Sequence, residues 1–229
     1  MQYQNYVFDL YGTLVTIHTD ETNNLFWERI ALFLQLKGLD CDKQSISSLY
    51  LHLCQEEQQK GSDLMEIDLM KVFAKLTEPL ALSEGELSNF AIMFRTLSLT
   101  RLGLYPGVME VLPELKRRGR NVILLTNAQK CFTVPELKFL GIYDIFDRIF
   151  ISSEEGVKKP SPMFFSVLEM EGYIPTESVM IGNDPVCDCQ GAAYMGMDSF
   201  FIRTRESPNG RAKLPKNCKQ IKELIQIIH

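Results

Sequence analysis

The chain is poor in the features that mark several large classes of protein. It has only three histidines, and its six cysteines, at 41, 54, 131, 187, 189 and 218, never fall into a CxxC spacing. A zinc module and a disulfide scaffold are therefore both disfavoured, and the thiols are expected to be reduced, in the cytoplasm. Cys187 and Cys189 flank Asp188 and read as small apolar groups rather than ligands. No apolar run is long enough to span a bilayer. The opening MQYQNYVFDLYG has no basic segment leading into an apolar one, so no export signal is expected. The formal net charge is −5 and there is no basic footprint. The densest cationic stretch, Lys116-Arg117-Arg118-Gly119-Arg120, sits at an expected helix end, where cations complement the exposed carbonyls. Nucleic acid and membrane are thus not expected partners. Repeats and low-complexity tracts are missing as well.

What is present is apolar material in short, alternating pieces. With 229 residues, 45% of them hydrophobic, a sizeable core is possible in one or two domains. Strands are predicted at Tyr6–Leu10, Asn121–Leu125, Arg148–Ile151, Ser178–Ile181 and Ser199–Ile202. Between them, helical spacing predicts helices over 107–118, 135–140, 162–171 and 187–195, with a terminal helix over 221–228. Pro113 sits awkwardly in the first of these unless that helix starts later. Residues 20–100 show no convincing strand. Their apolar stripes, such as Phe26, Ile30, Phe33 and Leu34, predict about four helices. The reading is α/β: a Rossmann-like parallel sheet core, residues 1–16 and 101–229, with an inserted helical cap, residues 17–100. The segment 203–214 is rich in turn formers and charge and reads as a solvated connection.

In a parallel sheet all strand C-termini share one edge, and the chemistry-bearing residues lie there. Asp9 follows the first strand, and Thr126 and Asn127 follow the second. Lys158 and Lys159 lie after the third, and Asp184 and Asp188 after the fourth. Gly12 permits a tight turn beside Asp9.

These residues stand in four motifs, FDLYGTL, LLTN, KKPSP and IGNDPVCD, whose order resembles that of the haloacid dehalogenase-like hydrolases. The resemblance covers the sheet and the helical insertion, which is similar to that family's small cap. It implies that Asp9 is a nucleophile forming a covalent aspartyl intermediate. It implies that Thr126, Asn127, Gly12 and Lys159 bind the transferred group, with Lys159 rather than Lys158 matching the lysine before proline. It also implies Mg²⁺ held by Asp9, the main-chain carbonyl of Tyr11, Asp184 and Asp188. Three carboxylates need such a counter-ion: at about 4 Å and an effective dielectric of about 20, each pair repels by about 4 kcal/mol.

One residue departs from the phosphatase pattern. Where those enzymes carry a second aspartate, two residues after the nucleophile, this chain has Tyr11. A phenol is a poor base at neutral pH, so Tyr11 either donates a proton or only packs. Tyrosine there resembles the family's 2-haloacid dehalogenases, whose halide leaves without a proton and without a metal. The two acids of the fourth motif favour a Mg²⁺-dependent phosphatase acting on a small phosphorylated metabolite. A metal-independent 2-haloacid dehalogenase is the alternative, and a non-catalytic binding protein a second one. The motif reads Gly182-Asn183-Asp184, so either Asn183 or Asp184 fills the ligand position. Arg29 and Arg95 are the arginines within the insertion; neither matches the dehalogenase carboxylate-binding arginine, and Arg29 reads as a surface cation. The oligomeric state is not legible.

Overall fold

The computed structural model describes residues 3–210 and 212–229; Met1, Gln2 and Arg211 lie outside the described residues, the last within the segment expected to be a loop. The chain runs through β1 (Asn5–Phe8), β2 (Val15–Thr19), α1 (Asn24–Leu36), α2 (Lys43–Gln59), α3 (Leu69–Leu76), α4 (Glu84–Ser98) and β3 (Leu99–Leu104). It continues through α5 (Val108–Arg117), β4 (Asn121–Thr126), α6 (Lys130–Phe139), β5 (Arg148–Ile151), α7 (Ser152–Glu155) and α8 (Pro162–Met170). It closes with β6 (Ser178–Gly182), a π turn over Pro185–Gln190, α9 (Gly191–Tyr194), β7 (Asp198–Ile202) and β8 (Cys218–Ile221).

Six strands form one parallel sheet in the order β5-β4-β1-β6-β7-β8. Their apolar runs are continuous because both faces are covered. Tyr6, Phe8, Val122, Leu124, Val179 and Ile181 face one cluster. Val7, Ile123, Leu125 and Met180, the residues between them, face the other. The expected strands and the α/β class are therefore present. After the insertion, the chain moves from β4 outward to β5, then crosses to the other side of β1 for β6. The order reverses at β1, and the crevice beyond its C-terminus is where open α/β sheets place their ligands.

Helices α1 to α4 enclose a separate aromatic cluster of Phe26, Trp27, Tyr50, Phe73, Phe90 and Phe94. Most of their rings meet edge-on or tilted, as at Phe26–Phe94, with centroids 4.9 Å apart, while Tyr50 and Phe73 stack. Phe132 of α6 joins the same cluster, so the insertion shares packing with the sheet's own helices. Sharp N-caps start the helices: Asp42 and Ser83 each form a capping box.

Four expectations need correction. Residues 15–19 and 99–104 form an antiparallel ribbon, β2 with β3, that crosses both proposed domain boundaries. It was hidden because it has mixed exposure and carries His18, Arg101 and Gly103 in place of an apolar alternation. Helix α6 starts at Lys130 rather than at 135, so Pro135 lies inside it, as Pro113 lies inside α5, whose bounds are close to the expected 107–118. Burial of Val111, Leu112 and Leu115, and of Phe132, Thr133 and Leu137, outweighs the missing hydrogen bonds. The helix expected over 187–195 opens as a π turn. The expected terminal helix is instead edge strand β8 followed by a short 3₁₀ turn, Leu224–Ile227. Among the described residues no helix is long and apolar enough to cross a membrane.

Phe73 is fully buried at the centre of the aromatic cluster. Phe73→Ala is expected to lower the unfolding free energy by about 3–5 kcal/mol, read by urea denaturation.

Candidate active site

Asp9 is the residue that β1 delivers to the reversal point of the sheet. Its amide donates to Ile181 O at 2.9 Å, which keeps it in register with β6. The chain then turns sharply. The amides of Leu14 and Val15 both donate to Leu10 O, at 2.8 and 2.9 Å. Gly12 sits at φ 84°, and a Cβ there would lie 2.2 Å from Asn183 Nδ2, so only glycine fits. Its own N–H donates to Val15 O at 2.8 Å. That amide serves the turn and not a bound group, contrary to the sequence expectation.

Lys159 is the hub of the site. Its buried ammonium donates to Asp9 Oδ1 at 2.8 Å, Asp188 Oδ1 at 2.7 Å and Leu125 O at 2.9 Å. Asn127 holds the lysine's main chain from both sides. Asn127 Oδ1 accepts from Lys159 N at 2.7 Å, and Asn127 Nδ2 donates to Lys159 O at 3.1 Å. Asn127 is thus a positioning residue for the lysine. Lys158 is half-buried and makes none of the ammonium contacts, which selects Lys159 of the pair. Thr126 Oγ1 donates to Asp9 Oδ1 at 3.4 Å, and Thr13 Oγ1 to Asp9 Oδ2 at 3.1 Å. Burial opposes charge on Lys159, but Asp188 and Asp9 outweigh it and hold its pKa above the ordinary lysine value. Burial, with Asp9 adding to it, pushes the Asp188 carboxyl up although Lys159 pulls the other way.

The fourth motif divides its work differently from the expectation. Asp188 Oδ2 accepts from Asp184 N at 2.9 Å, and a Cβ on Gly182 would lie 2.1 Å from that same oxygen. The Asp184 carboxylate caps the π turn, accepting from the amides of Val186 and Cys187 at 2.8 and 3.0 Å. The side chain packed against the Asp9 turn is that of Asn183. Asp9, Asp184 and Asp188 do line one cavity of about 200 Å³, with Tyr11, Asn127, Lys159, Asn183, Cys187 and Glu206. Yet among the described residues no three His, Cys, Asp or Glu side chains are placed to hold a metal ion. The expected shell of Asp9, the Tyr11 carbonyl, Asp184 and Asp188 is not assembled in this arrangement: Lys159 bridges Asp9 and Asp188 through one oxygen of each, and Asp184 caps its turn through Oδ1. The lysine relieves the repulsion between Asp9 and Asp188.

Tyr11 points elsewhere. Its hydroxyl donates to Glu136 Oε2 and lies 3.2 Å from Thr133 Oγ1. Arg95 Nε donates to Glu136 Oε1 at 2.6 Å, with its guanidinium over the Phe132 ring. Burial, then Glu136, raise the Tyr11 pKa. Arg95 therefore has a role that the sequence did not reveal, joining α4 to α6, while Arg29 is exposed as expected. Glu136 itself was missed. It lies between Phe132, Thr133 and Leu137 on the buried face of α6, and an acid on an apolar stripe was the available signal. Glu206 was missed because its loop read as solvated.

The family model described as haloacid dehalogenase-like hydrolase matches residues 3–196. A phosphoserine phosphatase from Thermus thermophilus is 34% identical over 103 residues, covering 44% of this chain and 41% of that protein. The chain spans about half the length of the curated relatives it matches. Among solved structures, a 2-haloacid dehalogenase from Pseudomonas syringae is similar with a TM-score of 0.65 at 19% identity, covering 99% of this chain and 97% of that one. A HAD phosphatase from Thermococcus onnurineus has a TM-score of 0.62 at 20% identity, covering 99% and 96%. At that identity both share the fold, and neither selects a reaction.

Lys159→Met strands two buried carboxylates and is expected to cost about 3–5 kcal/mol of stability. Because the folded pKa of Lys159 is raised, its contribution is complete below the ordinary lysine pKa of about 10.4 and is lost as pH rises through the raised value. Urea melts should show a constant gap between wild type and variant from neutral pH to that range, closing above it.

Proposed function

Because the chain belongs to the haloacid dehalogenase-like hydrolases, we propose that it is a phosphatase of small phosphorylated metabolites with Asp9 as its nucleophile. The observation that carries this reading is the buried Lys159 ammonium, 2.8 Å from Asp9 Oδ1. It pairs with the Asp9 carboxylate and offers positive charge to a phosphoryl group drawn up to it. The curated relatives named as phosphatases, at 28–35% identity, support phosphorus as the atom attacked.

In this reading Asp9 attacks phosphorus, the bond to the leaving oxygen breaks, and an aspartyl phosphate forms. Thr126 Oγ1 and Lys159 Nζ, both already on Asp9, are the donors at hand for the phosphoryl oxygens. Water then releases phosphate and restores Asp9. Magnesium, where bound in such enzymes, supplies further charge neutralisation. The acids here do not form its expected shell, so the steps are written through Lys159. Residues 17–100 act as the cap. Their contacts with the site support this: Lys158 N donates to Leu64 O at 2.9 Å and Glu66 N to Gly156 O at 3.1 Å, on either side of the loop that leads into Lys159. A cavity of about 200 Å³ suits a small substrate.

One observation favours a metal-independent 2-haloacid dehalogenase instead: Lys159 pairs with both Asp9 and Asp188, and the Tyr11 hydroxyl is held by Glu136 rather than facing Asp9. Chloride release from 2-chloropropionate in EDTA, without phosphate release from any ester, would establish it.

Asp9→Asn is expected to reduce hydrolysis of p-nitrophenyl phosphate by roughly 10⁴-fold or more, the scale of losing a nucleophile. Retained turnover would end the proposal. Tyr11→Phe loses a hydrogen bond to a charged acceptor and is expected to cost about 1.5–3 kcal/mol of stability. Its turnover should fall far less than the about 10²–10⁴-fold that removal of a general acid brings, as steady-state kinetics at neutral pH would show.

A further inference from the structure

A phosphatase that works through an aspartyl phosphate needs a proton acceptor for the water that releases phosphate. Tyr11 does not provide one, because its hydroxyl is held by Glu136. The other titratable groups lining the cavity are engaged as well. Asp188 spends one oxygen on Lys159 and the other on Asp184 N. Asp184 is half-buried and commits one oxygen, Oδ1, to capping its own turn. Burial pushes the Cys187 thiol up to about 12. Lys159 is a cation shared by two acids.

Glu206 is different. It lines the same cavity, from the loop after β7. Its Oε1 accepts from Thr16 Oγ1 at 2.7 Å and Arg205 Nε at 3.0 Å, and lies 3.5 Å from a terminal nitrogen of Arg101. Its Oε2 is buried without a hydrogen-bond partner. A carboxylate oxygen removed from water without a partner is costly, unless the site supplies one during its work. The loop is also fastened to the nucleophile's turn, with Thr204 Oγ1 donating to Gly12 O at 2.8 Å. One oxygen is anchored and the other is free.

We infer that Glu206 is the general base for the second half of the reaction, in the place that Tyr11 leaves vacant. This rests on the phosphatase reading. The water oxygen bonds to phosphorus as its proton passes to Glu206 Oε2. The bond from phosphorus to the Asp9 oxygen breaks, and its electron pair returns to the Asp9 carboxylate. Inorganic phosphate leaves, and Glu206 passes its proton to the water that refills the vacated cavity. In the first half the leaving oxygen takes its proton from solvent. The substrates best served are those whose leaving group departs without an acid: aryl and acyl phosphates, ahead of alkyl phosphates.

The test is rapid-mixing kinetics of the full chain with p-nitrophenyl phosphate. Glu206→Gln keeps the shape and the anchored contacts but cannot accept the proton. It should release about one p-nitrophenol per site in a burst, then turn over about 10²–10⁴-fold more slowly than wild type. Phosphoryl label should remain on the protein, and should be missing from the Glu206→Gln, Asp9→Asn double variant. The acidic limb of the pH–rate profile should disappear. Glu206→Ala should regain its slow phase with added formate, which a purely structural role would not allow. An active wild type whose Glu206→Gln variant keeps its turnover and pH profile, or a burst seen in Asp184→Asn instead, would overturn the inference and leave the phosphatase reading standing. A wild type that neither takes up phosphoryl label nor releases phosphate would overturn both.

Discussion

The site depends on one ammonium group. Lys159 Nζ lies within 2.8 Å of carboxylate oxygens from Asp9 and Asp188 and within 2.9 Å of the Leu125 carbonyl, at almost complete burial. Such a charge is costly to remove from water and is retained only where its partners are fixed. Those partners come from the ends of β1 and β4 and from the turn after β6, three adjacent strands of the parallel sheet. The strand order therefore has to be right before the lysine can be buried. Asn127, gripping the main chain of Lys159 from both sides, completes the constraint.

Around this hub, several groups that look catalytic on paper are structural. Tyr11 is drawn toward Glu136 and Arg95, so the residue two places after the nucleophile ties the turn to α6 and α4. Asp184 caps the turn that carries Asp188. Gly12 and Gly182 allow close approach, the first to Asn183 and the second to Asp188. Beside them, Asp9 and Lys159 line a cavity that Glu206, from the loop after β7, also lines.

Much of this was legible beforehand, and for a definite reason. The strands β1, β4 and β6 are buried on both faces, so their apolar runs are unbroken and stand out. Each ends at a residue too polar for its setting, which located Asp9, Thr126 and the fourth motif. The ribbon β2–β3 and the strand β8 did not stand out, because they are half-exposed or at an edge and carry charged residues. The interior proline of α6 misled the start of that helix, since local preference there yields to tertiary burial.

The sequence by itself determined the α/β class, the order of the strand-end motifs and which aspartate, threonine and lysine stand at the strand ends. These follow from short-range patterns: apolar runs, glycine turns and the polar residue closing each strand. Only the tertiary structure decided that Asp184 is a cap, that Tyr11 belongs to Glu136 and that Glu206 reaches the site from nearly 200 residues away. A side chain's job depends on which partner it meets after burial, and hydrogen-bond partners distant in the chain leave no periodic trace in it.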